Sequence, residues 1–458
     1  MRKWLKRALD KSTVNLVVPI LIEQTFVMLM GTINSVMASS IGEVAVSAIG
    51  LVESINNLVI MFFSALSVGA TVVVAHYSAQ GKMERANETV KQALYSSILI
   101  CIASSAVVLL FETQVLALLF GKVEEGVMVN ARIYLRYAAI SYPFVAITGI
   151  AGGAMRGSSD SRTPMTISVV MNVANVALGY VLIYGVELGG VVYGRMGITG
   201  ASIAITGARG IGAVMAMFAL LRRSRGVHLE RPFYFKLDKN ILKSVFGIGL
   251  PATTENLLFN IGKIVSQTFI VAAGTADLAA NYLIGPLSNI TNLPGNAMSM
   301  ACSTLVGQAM GVGDKPRAKQ IMYDMLLLSM LAMGIICLAL FLLAKPYLSL
   351  YNPGPEVYPL ISLFIRLTCL FTPLFWPAAF QLPGGLRSAG DARYCMVVSV
   401  STLLLMRMGV GYLLSVVMGY GVLGVWIAMF LDWVARGIIY IIRVRGYRWG
   451  NKKVLYDD

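Results

Sequence analysis

Long apolar runs separated by short polar segments make up most of this chain. We predict twelve helices, at about 13–37, 50–77, 92–119, 133–155, 164–184, 197–221, 245–273, 278–309, 321–344, 359–384, 396–418 and 421–442. Each run is long enough to cross roughly 30 Å of hydrocarbon, and none shows the strict alternation of a membrane-spanning strand. The pattern therefore predicts an all-α, polytopic membrane protein with twelve transmembrane helices.

Composition and charge agree with this class and exclude others. Hydrophobic residues make up 57% of the chain and charged residues 13%, whereas about a quarter of a soluble domain is charged. The formal net charge of +15 could suggest nucleic acid, but Lys and Arg cluster in alternate loops. By the positive-inside rule, both termini and the central loop are cytoplasmic, in a multi-pass protein of the cytoplasmic (inner) membrane. We therefore expect the lipid bilayer, not nucleic acid, as a partner.

The N-terminal segment and the cysteines give two further predictions. The N-terminal segment is basic and then apolar, without a small-residue cleavage site, so we expect an uncleaved first helix. The five cysteines are scattered and show no metal-binding or disulfide spacing. We expect no metal and no cofactor.

The chain contains the same unit twice. The loop "MRGSSDSRTPM" at 155–165 recurs as "LRSAGDARYCM" at 386–396, and Pro19 and Glu23 recur 232 residues later as Pro251 and Glu255. Six helices return the chain to its starting side, so the copies have parallel orientation. We predict two six-helix bundles related by a pseudo-twofold axis along the membrane normal, at 1–222 and 244–458, joined by a cytoplasmic linker at 223–243. For the repeated loop we expect a structural role.

Polar residues at helical spacing form faces on three predicted helices. Such faces do not belong against lipid, so they either pack against other helices or line a water-filled cavity. For the small hydroxyl residues we expect packing; these are Ser64, Ser67, Thr71, Ser299 and Ser303. The candidates for a substrate cavity are the larger residues Asn57, Asn256, Asn260, Lys263, Gln267, Asn289 and Asn292.

Charged side chains inside the apolar runs are candidates for ion coupling. Glu255 lies deep in the seventh helix, Glu23 is its repeat equivalent, and Glu53 lies nearer the outer end of the second helix. A membrane-buried carboxylate can exchange a proton or bind a cation, although Glu23 and Glu255 each follow a proline and could instead brace a bend. Arg407 and Asp432 lie at matching depths with Arg436 one turn away, which predicts a structural ion pair between the last two helices or, alternatively, an ion relay.

These features together resemble the bacterial multidrug and toxic compound extrusion (MATE) family. The stretches that carry the resemblance include "PILIEQTFVMLMGTINSVMASSIG", "GLPATTENLLFNIGKIVSQTFIVAAGTADLAA" and both repeated loops. The resemblance implies two lobes in a V, a central cavity, and export of amphiphilic organic cations against inward sodium or protons. Asn34 stands where many members carry an Asp in helix 1, which makes it another cavity candidate. Gly179 and Trp376 stand where some members carry further Asp residues.

We therefore expect a secondary active efflux transporter that works by alternating access, coupled to sodium or proton influx and acting as a monomer. A flippase for a lipid-linked precursor is an alternative. A membrane-embedded enzyme is a weaker one, because the sequence shows no clustered metal ligands and no nucleophile with a base at suitable depth. The identity of the substrate, the coupling ion, the stoichiometry and the carboxylate that couples stay open.

Overall fold

The computed structural model describes residues 7–121, 124–188, 191–222, 226–230, 236–351, 354–355 and 357–456. Within them the chain forms fourteen α-helices, when those that continue through a π turn are counted as one, and a short 3-10 helix at Arg448–Asn451. The long helices are α1 (Lys11–Ser39), α2 (Glu43–Ala79), α3 (Met83–Leu110), α5 (Glu125–Gly157), α6 (Arg162–Tyr184), α7 (Gly197–Leu221), α8 (Lys239–Ala273), α9 (Thr275–Gly311), α10 (Lys315–Leu342), α12 (Val357–Ser388), α13 (Ala392–Val417) and α14 (Gly421–Arg445). The short helices are α4 (Glu112–Phe120) and α11 (Ala344–Tyr351).

Strand structure in the described residues is confined to one small hairpin. β1 (Val186–Leu188) pairs antiparallel with β2 (Val191–Tyr193) between α6 and α7. The prediction of an all-helical membrane protein is confirmed, because this hairpin is only a connection.

Ten of the long helices are long and apolar enough to cross a membrane by length and composition, within the described part of the chain. The other two are α8 and α9, which have 35 and 37 residues and exceed the length needed to span a bilayer. Both also carry the polar faces that the sequence predicted. The twelve long helices thus match the twelve predicted.

The internal duplication is visible in the bounds of the helices. α2 begins at Glu43 and ends at Ala79, and α9 begins and ends 232 residues later, at Thr275 and Gly311. The same offset relates both ends of α3 and α10, and the first residues of α4 and α11. Each half therefore repeats the other helix by helix, including its short extra helix.

The chain forms two compact units whose boundaries differ from the predicted lobes. The first-half unit is Ile22–Gly249, and the second-half unit combines the chain up to Leu21 with Leu250–Tyr456. The first turns of α1 join the second-half unit because Leu16 and Ile20 are buried in a cluster that includes Tyr440. Parts of the expected linker, 223–225 and 231–235, lie outside the described residues.

The first turns of α8 belong to the first-half unit for a similar reason. Ile241 and Val245 are buried there. Gly69 of α2 comes so close to the backbone of Val245 that a side chain at position 69 would overlap its carbonyl oxygen. Small residues permit this close approach of helices.

Among the small hydroxyl residues of the predicted polar faces, Ser67 and Ser303 hold helices together as expected, whereas Ser64 is exposed. Ser67 Oγ of α2 donates to the carbonyl of Gly149 in α5 at 2.6 Å. In the second half, Ser303 Oγ lies 2.7 Å from Ser388 Oγ, which joins α9 to α12. Such bonds satisfy polar groups away from water and bring the helix backbones close together.

Candidate functional site

Glu255 lies on α8, one turn after Pro251, and is held by two other helices. Its Oε2 accepts a hydrogen bond from Arg387 Nη1 of α12 at 2.8 Å, and its Oε1 accepts one from Ser399 Oγ of α13 at 2.7 Å. The side chains of Glu255 and Arg387 are only 11% and 18% exposed. Glu255 therefore acts as a charged link among α8, α12 and α13.

Glu23 makes the equivalent interaction in the first half. Both of its carboxylate oxygens accept from Arg156 Nη1 of α5, at 2.9 and 3.1 Å, and the two side chains are 13% and 10% exposed. Arg156 and Arg387 are the first arginines of the repeated loop. The predicted structural role of that loop thus takes a specific form, because its arginine pairs with the buried glutamate of the same half.

Sequence reasoning did not find these partners. The available signal was that Glu23 and Arg156 are separated by 133 residues, and Glu255 and Arg387 by 132. An acid and a base that recur together at nearly the same spacing are candidates for the same contact in each repeat.

Glu53 of α2 is in a different environment. Its Oε1 accepts from Tyr134 Oη at 2.9 Å and from Asn56 Nδ2 at 3.3 Å, and Asn56 in turn accepts from Tyr142 Oη at 2.9 Å. Within the described residues no Lys, Arg or His nitrogen pairs with this carboxylate. Of the three coupling candidates, Glu53 is the one whose hydrogen-bond partners are all neutral.

Asn34 of α1 pairs with another amide. Asn175 Nδ2 of α6 donates to its Oδ1 at 2.6 Å, and Asn175 is buried. A side chain at Gly179 would overlap the end of Met37. Where the family resemblance would place carboxylates on α1 and α6, this chain has a neutral amide pair and a methionine beside a glycine.

The predicted polar face of α8 is accessible along much of its length. Asn256 and Lys263 are exposed, while Asn260 and Gln267 are half-buried. Asn260 Nδ2 donates to the carbonyl of Asn256 at 2.9 Å, and Gln267 Nε2 donates to Tyr282 Oη at 2.7 Å. These side chains do not pack into the core of the bundle, and their assignment to a substrate cavity stays a prediction.

The candidate asparagines on α2 and α9 are only partly buried as well. Asn57 of α2 and Asn289 of α9 are exposed, and Asn292 is half-buried. The Oδ1 atom of Asn292 is buried and has no hydrogen-bond partner within the described residues. A buried amide oxygen without a partner is costly, so this position is suited to a ligand or water.

The predicted ion pair of the last two helices forms with a different arginine. Arg436 Nη2 donates to both oxygens of Asp432 at 3.0 Å, one turn apart on α14, and Arg436 Nε donates to Thr402 Oγ1 of α13 at 3.3 Å. The expected pairing of Arg407 with Asp432 is wrong: no hydrogen bond or ion pair joins them within the described residues. The i,i+4 neighbour satisfies the carboxylate without bridging two helices.

Charged groups also pair elsewhere in the described residues. Arg7 forms a two-point contact with Asp324, with Nε and Nη2 donating at 3.0 and 2.7 Å, beside a cavity of about 520 Å³ within the second-half unit. The hydrogen bonds from Arg136 of α5 lower the pKa of Glu112, the first residue of α4, below its usual value. The described residues contain no cluster of three or more potential metal ligands.

Comparisons with known proteins match this fold along its whole length. The family model described as MatE matches twice, at residues 19–181 and 251–413. The chain is 24% identical to the "Probable multidrug resistance protein NorM" of Thermotoga maritima, covering 97% of this chain and 94% of the relative. It is 25% identical to the "Uncharacterized transporter YisQ" of Bacillus subtilis, covering 98% and 97%.

Solved structures share the architecture at low sequence identity. A crystal structure of MATE in the straight conformation aligns with a TM-score of 0.86 at 19% identity, covering 97% of this chain and 98% of the other. A MOP superfamily transporter from Pyrococcus furiosus aligns with a TM-score of 0.85 at 18% identity, with 97% of each chain covered. That structure is described as having a binding pocket of reverse polarity, which suggests a different function.

Proposed function

Because the chain belongs to the multidrug and toxic compound extrusion (MATE) family, we propose that it exports amphiphilic organic compounds across the cytoplasmic membrane as a secondary active transporter. The observation that carries this proposal is the double match of the family model, once to each half of a chain whose halves correspond helix by helix. Relatives named as multidrug resistance proteins support efflux as the direction. We propose alternating access driven by inward sodium or protons, with both termini cytoplasmic.

We propose Glu53 as the coupling carboxylate. Glu23 and Glu255 each pair with an arginine, so a cation or proton would have to displace a charged partner from either of them. Within the described residues, the donors to Glu53 are a hydroxyl and an amide, and both can rearrange when a proton or sodium ion binds.

The energy required limits what Glu53 can do alone. Moving a two-state equilibrium from 1:99 to 99:1 takes about 5.5 kcal/mol of differential binding. A carboxylate whose proton affinity differs tenfold between two states supplies about 1.4 kcal/mol. Glu53 therefore acts together with its polar neighbours, of which Tyr134 and Asn56 touch it directly.

The test is transport in proteoliposomes with sodium and proton gradients imposed separately. A panel of rhodamine 6G, fluorescein and a lipid-linked sugar precursor covers cationic, anionic and lipid-linked substrates. We expect the wild type to move at least one dye under one gradient, and Glu53→Gln to lose gradient-driven movement while still binding the dye. The matched control is Glu43→Gln, which removes an exposed carboxylate from the same helix. Gradient-driven transport by Glu53→Gln at the wild-type level would exclude Glu53 as the coupling carboxylate.

A flippase for a lipid-linked precursor is the second candidate. The observation that favours it is the exposed Lys263 on the polar face of α8, because the phosphates of such precursors are anionic. The same proteoliposomes discriminate the two functions. Gradient-dependent translocation of the precursor without movement of either dye would favour a flippase over an exporter of amphiphilic compounds.

A further inference from the structure

Three cationic side chains surround one aromatic ring in the second-half unit. The Nζ atom of Lys263 lies 5.1 Å from the centroid of the Phe259 ring, and the Cζ atoms of Arg407 and Arg436 lie at 5.2 and 5.7 Å. All three are within the range of about 6 Å over which a ring face attracts a cation. We call Phe259, Lys263, Arg407, Arg436 and Asp432 the Phe259 cluster.

The charges of the Phe259 cluster do not balance. Asp432 is its one carboxylate, and both oxygens of Asp432 accept from Arg436. Neither Lys263 nor Arg407 has an ion-pair partner within the described residues. The cluster therefore holds two positive charges in excess, and intramembrane charges are expensive unless they are paired.

The two uncompensated cations differ in access. Arg407 is only 8% exposed, and its Nε atom is buried without a hydrogen-bond partner in the part of the chain that the structure describes. Lys263 is exposed. Because both lie near the centroid of one ring, they are at most about 10 Å apart. An incoming group can reach Lys263 directly, while Arg407 offers unsatisfied donors nearby.

The first half of the chain does not repeat these cations. At the offset of 232 residues, Lys263 corresponds to Gly31 and Arg407 to Asn175. Asn175 is satisfied by its amide partner Asn34. The repeated fold therefore forms without positive charge at these positions, so the cations of the second half are not a requirement of the bundle.

We propose that Lys263 and Arg407 bind the anionic group of an amphiphile, such as a carboxylate, sulfonate or phosphate. The guanidinium provides a planar set of donors suited to these groups, and the ammonium adds a mobile point charge. The aromatic or apolar body of the ligand packs on Phe259, whose ring meets Phe380 at 5.6 Å. That the amphiphile is the exported substrate rests on the proposed function; the binding of the anion does not.

The test uses two dyes that share a xanthene ring system and differ in charge, anionic fluorescein and cationic rhodamine 6G. Their binding is measured by fluorescence anisotropy on the full chain in nanodiscs of zwitterionic phosphatidylcholine. We expect Lys263→Gln and Arg407→Gln to weaken fluorescein binding at least tenfold and to change rhodamine 6G binding less than twofold. Arg407→Lys keeps the positive charge and should retain most of the affinity for fluorescein. It is the variant to use if Arg407→Gln does not fold.

The control variant is Lys345→Gln, which removes an exposed lysine from α11 and should leave both dyes unaffected. Equal binding of fluorescein to wild type and Lys263→Gln would overturn the proposal. So would an equal loss of both dyes in Lys263→Gln and Arg407→Lys, because that pattern reports damage to the fold rather than loss of an anion site.

A second arm separates a lipid headgroup from a free ligand as the source of the anion. Adding phosphatidylglycerol to the nanodiscs should displace fluorescein from the wild type if the site accepts headgroups, and this also supports an anion site. If the substitutions of Lys263 and Arg407 change the binding of neither fluorescein nor phosphatidylglycerol, the proposal fails. Failure of proteoliposomes to move any dye would instead remove the proposed transport function and leave the binding result standing.

Discussion

Replacing Glu255 by glutamine tests whether this buried carboxylate is mainly a brace or the coupling group. The substitution keeps the shape and an oxygen that can accept from Ser399, but it removes the charge that faces Arg387. Arg387 has little alternative, because its Nε atom is buried without a partner in the described residues. We therefore expect Glu255→Gln to lower stability.

The expected magnitude follows from burial. With exposures of 11% and 18%, the pair is close to the buried limit, in which removal of one partner costs about 3–5 kcal/mol. Residual solvent screening favours the lower value of about 3 kcal/mol. In a folding unit of 150–250 residues, 1 kcal/mol shifts Tm by about 2–4 °C. The variant should therefore melt about 6–12 °C below the wild type.

The assay is thermal unfolding of detergent-purified protein, followed by size-exclusion or intrinsic fluorescence, for the variants Glu255→Gln, Arg387→Gln and the double variant. If the residues act as a pair, the double variant should lose less stability than the two single variants together. Glu84→Gln, which removes an exposed carboxylate of α3, serves as the control. An unchanged Tm for Glu255→Gln, accompanied by loss of ion-coupled transport, would refute the brace and make Glu255 the coupling residue.

Three further predictions address other parts of the molecule. Glu53→Gln should abolish ion-driven transport and change Tm by less than the Glu255 variant does, as judged by proteoliposome flux and melting. Gly69→Ala should destabilise by at least about 2 kcal/mol, because the new methyl group overlaps the backbone of α8, whereas Gly50→Ala in the same helix meets no neighbour and should be neutral in melting curves. Because Arg136 lowers the folded-state pKa of Glu112, this pair should stabilise the protein above the ordinary carboxyl pKa. The Tm difference between wild type and Glu112→Gln should then vanish as the pH falls through the lowered value, and a difference that persists in acid would contradict the linkage.

Patterns that depend on local chemistry were predictable from sequence. Apolar length and the positions of Lys and Arg gave the membrane class and twelve helices, because a segment long enough to cross hydrocarbon has to satisfy its backbone by itself. The recurrence of Pro19 and Glu23 as Pro251 and Glu255 gave the duplication. Ser67 was assigned correctly to packing, since it bonds to the backbone of α5.

The partners of the charged residues were not predictable in the same way. Matching depth suggested Arg407 for Asp432, but Arg436, one turn away on the same helix, takes the carboxylate. For side chains on different helices, the rotation of each helix about its own axis decides which of them meet. That rotation brings Glu255 of α8 to Arg387 of α12, whereas Lys263 and Phe259 are one turn apart on α8. Depth constrains one coordinate of an intramembrane pair and leaves the other two free.

The sequence by itself determined a membrane protein of two repeated six-helix halves, with polar faces on α2, α8 and α9, because hydrocarbon selects strongly for apolar length and against charge. Only the tertiary structure decided that the first turns of α1 and α8 belong to the opposite units and that two of three candidate glutamates are neutralised by arginines. It also decided that two cations near Phe259 form no ion pair within the described residues. Those outcomes depend on which helices become neighbours, and the packing of side chains between helices, rather than any single helix, fixes that choice.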